Sequence, residues 1–192
     1  MSQIIDIRRR GLLRASGVTV LSASAVALLA GCEKMAVAQQ SNTANDVGIL
    51  NTALGLEHEA VSAYQVSAGS GLLQKPVLDA AVLFQSHHKG HRDALIATIE
   101  KLGGRPVAEK PMAEYARALN AAAIKSQEDI LNLAARLELG ASNAYLGVIP
   151  SFQDVNLAKV AARLAADETM HWTALSGVLG RQLPGAPLSF GA

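Results

Sequence analysis

Residues 50 to 64 and 131 to 145 are two copies of one pattern. Leu50, Glu57 and Tyr64 line up with Leu131, Glu138 and Tyr145 at an offset of 81, and Ala53, Leu56, Ala60 and Ala63 match Ala134, Leu137, Ala141 and Ala144. With Asn51 against Asn132 these make eight identities in fifteen positions, where chance gives about two, so the chain is an internal duplication. A spacing of seven is two helical turns, which puts each Glu mid-helix on the stripe that carries the Leu and the Tyr. A lone carboxylate on an apolar stripe is costly to bury unless it is paired or binds a metal. Two of them at equivalent places need a shared explanation.

The partners lie in the helix that follows each copy. His88-Lys89-Gly90-His91 aligns with Glu168-Thr169-Met170-His171 at an offset of 80, a register supported by Ala94 and Leu95 against Ala174 and Leu175. Spacing i to i+3 puts both side chains of a pair on one helical face, about 5 to 6 Å apart at Cβ. The constellation is therefore Glu57, His88, His91, Glu138, Glu168 and His171. Any one of these alone reads as a solvated or internally satisfied polar group. Six at symmetric places on inward stripes read as metal ligands.

This arrangement resembles the ferritin-like superfamily, whose four-helix bundles take one Glu from each of two helices and a Glu-x-x-His from each of the other two. The tyrosine seven residues after the first-helix Glu is similar to one that ferritins and bacterioferritins carry there. In style the chain resembles the secreted ferritin-like domain families, over roughly residues 44 to 180. The resemblance implies an all-α, ferritin-like four-helix bundle built from two duplicated hairpins joined by a long crossover. Glu57, Glu138, Glu168 and His171 fall on the family pattern, and His91 falls on the family histidine of the second helix. His88 departs from it, because a carboxylate is expected there. The implied cofactor is iron or another transition metal (manganese, zinc or copper), with oxygen or peroxide as the reactant. Tyr64 and Tyr145 read as bundle core behind the ligands, near enough to an oxidising centre to donate an electron. His58 and His87 sit about 100° around their helices from the ligand positions and read as surface residues or as groups behind the ligands.

The first 31 residues read as an export signal that is removed and takes no part in the fold. Arg8-Arg9-Arg10-Gly11-Leu12-Leu13-Arg14 resembles a twin-arginine motif carried by Arg9 and Arg10, Val18 to Ala30 is a short apolar run, and Leu29-Ala30-Gly31-Cys32 resembles a lipobox. Cys32 is the sole cysteine, so a disulfide within one chain is excluded. Lipid on Cys32 would hold the protein to a membrane of the bacterial envelope. Ala36-Val37-Ala38 offers a competing cleavage site that would leave a soluble periplasmic protein. Residues 32 to 45 then form a polar, irregular tether.

The rest is one domain with a sizeable core, residues 46 to 180, followed by an irregular tail from 181 to 192. Aromatic residues are only 4% of the chain, which suits closely packed helices better than a sheet sandwich. Removing residues 1 to 31 takes away four Arg and one Asp, so the formal charge moves from +1 to −2. Nothing in that balance points to nucleic acid.

Helix boundaries follow from caps and breakers. The first helix is predicted from Asp46 to Ala68, with Asn45 or Asp46 as its cap, and the second from Pro76 to Gly103-Gly104. Pro111 opens a helical stretch that reads to Val148, too long for one element, so a break is expected near Lys125-Ser126-Gln127. The segment from Gly103 to Lys125 is the crossover. The last helix runs from Val155 to Leu179 behind the cap Asp154.

Two functions of different classes follow. The bundle binds one or two metal ions and uses them to oxidise ferrous iron or consume oxygen or peroxide; alternatively it is a metal-free or structurally metallated helical module of the envelope that binds a partner. A storage cage is disfavoured, because a lipid on every N-terminus would hinder closure of many subunits. A monomer or homodimer is expected.

Overall fold

The computed structural model describes residues 25–191, with side chains from residue 42 onward. Arg9 and Arg10 lie outside the described residues, as does the side chain of Cys32. Five α-helices follow one another: α1 (Ala25–Gly69), α2 (Lys75–Lys101), α3 (Met112–Ala118), α4 (Gln127–Val148) and α5 (Val155–Val178). Short 3-10 turns at Ala121–Ala123 and Ile149–Ser151 complete the described residues, which contain no strand. The described residues build an all-helical fold, as the repeat predicts. Among the described residues no helix is long and apolar enough to cross a membrane.

Two apolar clusters build the bundle. In one, Leu50 and Leu54 of α1 meet Leu95 and Ile99 of α2, Tyr145 of α4 and Leu157, Ala161 and Leu164 of α5. In the other, Tyr64 meets Ala81 and Phe84, Leu131 and Ala135, and Trp172 and Leu175. The clusters exchange under the repeat offsets: Leu50 becomes Leu131, Tyr64 becomes Tyr145, Ala81 becomes Ala161 and Phe84 becomes Leu164. They hold opposite ends of the four long helices. Consequently α1 and α5 run one way and α2 and α4 the other, and the crossover between α2 and α4 must traverse the bundle. Each fully buried Leu or Ile here contributes about 1.5–3 kcal/mol of transfer free energy.

The crossover is fastened by named contacts. Asn51 of α1 donates from Nδ2 to the Arg105 carbonyl at 3.0 Å and accepts from the Val107 N–H at 2.6 Å. Tyr115 of α3 and Leu119 just after it pack on Ala63 and Leu133. The stop after α2 is glycine chemistry: Gly103 has φ +77°, and a Cβ on Gly104 would lie 2.6 Å from Val47 Cγ1. At the expected break, Ser126 and Asp129 form a capping box that starts α4. Asp154 caps α5 by accepting from the Asn156 N–H at 2.7 Å.

Two expectations at the start of the bundle are corrected. Gln39 to Asn45, read from polarity as part of an irregular tether, is helical, because α1 begins at Ala25. Extending a packed helix through Ala36, Ala38, Gln39 and Gln40 adds one bond per residue and needs no new nucleus. Asp46 is therefore not a cap of its own helix. It is buried, and its carboxylate accepts from the Gln153 and Asp154 N–H groups at 3.0 and 3.1 Å, tying α1 to the start of α5.

Candidate metal centre

The six polar residues singled out by the repeat meet in the middle of the bundle, between the two apolar clusters. His91 is 9% exposed and the other five at most 2%. Their donor atoms fall into two overlapping groups, Glu57-His88-His91-Glu168 and His88-Glu138-Glu168-His171, with the atoms of each group within 4.8 Å of one another. Glu168 joins the groups: Oε1 lies 3.2 Å from His91 Nδ1 and Oε2 lies 3.2 Å from His171 Nδ1. His88 joins them from the other side. Its Nδ1 is 2.8 Å from Glu57 Oε2 and its Nε2 is 3.2 Å from Glu138 Oε1. The imidazole thus spans the halves where its repeat partner uses a carboxylate.

The tyrosines cross between repeats. Tyr64 donates to Glu138 Oε1, and Tyr145 donates to Glu57 Oε1 at 2.5 Å. Burial and the facing glutamates push both phenols well above their ordinary value, so they stay protonated donors. Each glutamate therefore has one oxygen held by a tyrosine of the other repeat.

Two residues around the centre were not among the predicted ligands. His87 Nδ1 lies 2.9 Å from His171 Nε2, and Asp167 Oδ2 lies 3.2 Å from His91 Nε2. They are repeat equivalents at the offset of 80, each reaching the inward histidine of the other repeat. His87 stands behind a candidate ligand, one of the two places the helical angle allowed; the alignment of His87 with Asp167 was the signal that could have found both. His58 takes neither expected place. It is buried, and its Nε2 lies 3.2 Å from the Val107 carbonyl, fastening the crossover to α1.

The electrostatics are those of a dense, coupled cluster. Burial pushes the Glu57 carboxyl up, but the hydrogen bond with His88 and the positive charge of nearby His91 outweigh it and bring the group down to about 2. Burial likewise opposes charging His88 and His91, yet the surrounding glutamates raise both to about 10. Glu138 is lowered, chiefly by His171 and His88 against its burial. Glu168 goes the other way: burial, reinforced by hydrogen bonding to Glu138, raises it. Three carboxylates cannot all charge at equal cost in so small a volume, and Glu168 is the one that yields.

Two buried atoms in this cluster have no hydrogen-bond partner, His91 Nδ1 and Glu168 Oε1. They lie 3.2 Å apart but are misaligned for a bond to each other. With Asp167 accepting the Nε2–H of His91, loss of the Nδ1 proton to an incoming metal would leave the Nδ1 lone pair directed into the cluster. Carboxylate oxygens and imidazole nitrogens converging with unsatisfied lone pairs form a donor set that suits first-row transition metals.

A sequence model of the ferritin-like domain matches residues 45–181. No curated protein matches the chain. Among solved structures, a conserved hypothetical protein, rv2844, from Mycobacterium tuberculosis superimposes with a TM-score of 0.62 at 20% identity, covering 77% of this chain and 99% of that one. At that identity the likeness is one of fold.

Proposed function

The chain belongs to the ferritin-like domain family, and from that premise we propose that it is an exported metal-binding bundle that holds one or two transition-metal ions in its core and reacts them with oxygen or peroxide, or oxidises ferrous iron. The observation that carries this reading is the convergence of the unsatisfied His91 Nδ1 and Glu168 Oε1 with Glu57, His88, Glu138 and His171. Iron, manganese, zinc and copper all accept such mixed carboxylate and imidazole donors.

Glu57, His91 and Glu168 would hold one ion, and Glu138, His171 and Glu168 the other, with His88 within reach of both groups. Bound iron, manganese or copper would supply one-electron chemistry and open coordination positions for an oxidant, whereas zinc would bind without redox. The protein does the remaining work. The two apolar clusters keep bulk water out, Tyr64 and Tyr145 fix the glutamates by one oxygen each, and Asp167 and His87 set the ring orientation of His91 and His171.

One observation favours the second reading, a metal-free or structurally metallated module that binds a partner. His88 already spans Glu57 and Glu138, so an imidazolium there can satisfy both carboxylates without an ion. Metal content decides between them. Protein purified without a histidine tag contains stoichiometric metal on the first reading, and its melting temperature rises on saturation, since ligand at 100 times Kd adds about 2.7 kcal/mol. Absence of metal together with identical melting at saturating iron, manganese, zinc and copper would leave the second.

The envelope address rests on the sequence. Replacing Cys32 with Ser abolishes lipid labelling and releases the protein from membranes, and replacing Arg9 and Arg10 with Lys blocks export. Unchanged fractionation of Cys32→Ser would place cleavage after Ala38.

A further inference from the structure

A cleft of about 230 Å³ opens between α1 and α4, and its lining includes His88 and Glu138 of the buried cluster. Both residues are only 1% exposed, so they form its floor. The walls are small where the repeats face each other. Ala60 and Ala141 are repeat equivalents, as are Leu56 and Leu137, and Gly140 and Ala144 widen the α4 side. The same duplication that builds the centre thus brings two alanines to its lid. We propose that this cleft is the port through which a small uncharged oxidant, dioxygen or hydrogen peroxide, reaches the centre. The proposal rests on the metal-centre reading and adds to it a route and a size limit.

Selectivity follows from the walls. Half-buried Glu59 and exposed Arg136 carry opposite signs and give no net attraction to a cation. Beyond them the lining down to His88 and Glu138 is carbon, and an ion entering it would shed hydration without replacement. Dioxygen pays no such cost and hydrogen peroxide a far smaller one than an ion, and the volume holds several such molecules, given about 30 Å³ for one water. Metal ions have a polar edge elsewhere. Asp167 is 51% exposed and hydrogen-bonded to His91, so a carboxylate in solvent leads straight to a ligand. The oxidant and the metal therefore enter by different faces, and plugging one leaves the other open.

The port can be tested without metal. In the metal-free protein, dissolved dioxygen enhances nuclear relaxation wherever it penetrates, and the His88 ring protons relax at least threefold faster than the Ala135 and Ala165 methyls, which are as deeply buried. Ala141→Leu, and independently Ala60→Leu, remove that excess. In ferrous-loaded protein, either plug slows nitric oxide association about tenfold while the zinc titration is unchanged. If iron does not bind, the metal-centre reading fails, and the relaxation experiment still decides the port. Relaxation of His88 no faster than that of Ala135 and Ala165, or nitric oxide association unaltered in both folded variants, would overturn it.

Discussion

The two repeats put the same backbone positions around the centre and fill them with different chemistry. The first supplies His87, His88 and His91 from α2; the second supplies Asp167, Glu168 and His171 from α5 at the same offset. Geometry is shared: Glu168 spans His91 and His171, and His88 spans Glu57 and Glu138. Charge is not. A carboxylate stands behind His91, whereas a half-buried imidazole stands behind His171, and burial and His171 itself lower His87 and favour its neutral form. A carboxylate-backed imidazole is the better oriented and more basic donor. On the proposed metal reading, duplication fixes where the candidate ligands sit and single substitutions make the two positions unequal, with the one at Glu57, His91 and Glu168 predicted to be the tighter.

Breaking the shared residue has the largest effect. Glu168→Ala removes a donor from both groups and lowers zinc affinity at least 100-fold in calorimetric titration, going beyond the roughly 10- to 100-fold typical of a group behind a ligand. Retention of one ion at native affinity would show that Glu168 serves one position only. His88→Glu makes the halves alike. It raises occupancy of the weaker position and speeds oxidation of added ferrous iron about tenfold. The residues behind the candidate ligands come next: Asp167→Ala weakens the ion at Glu57, His91 and Glu168 about 10-fold, while His87→Ala weakens the ion at Glu138, His171 and Glu168 by less than half that factor. Equal losses in the two variants would remove the asymmetry.

The smallest effect is in pH, and its sign differs for the empty and the loaded protein. His88 and His91 are raised from 6.5 to about 10, so their contribution to stability is complete below pH 6.5 and is lost as pH rises through about 10. Glu57, lowered from 4.5 to about 2, contributes above pH 4.5 and loses that contribution as pH falls toward 2. The metal-free protein therefore melts at falling temperature between pH 7 and 10. Metal must displace the histidine protons, so zinc affinity rises from pH 6 to pH 8. Parallel calorimetry of the two forms checks the opposed trends.

The sequence made the fold readable wherever a local rule and the repeat agreed. Ser126 with Asp129 and Gly103 with Gly104 marked helix ends by backbone chemistry that needs no tertiary partner. Glu57, Glu138 and the paired residues of α2 and α5 were visible because a buried carboxylate on an apolar stripe has few explanations. What escaped were residues whose partners come from distant segments. Asp46 looks like a cap until the loop before α5 arrives, His58 reads as a surface residue or a group behind the ligands until the crossover passes, and nothing local marks Asp167 until His91 faces it from another helix. Polarity misled at Gln39 to Asn45, where continuity with a packed helix outweighs composition.

The most direct test of the account is anomalous diffraction from crystals of untagged protein grown with manganese and, separately, with zinc. The account predicts a peak among Glu57, His91 and Glu168, with a second, weaker one among Glu138, His171 and Glu168. A native centre with neither peak, in which His88 still bridges Glu57 and Glu138, would contradict it.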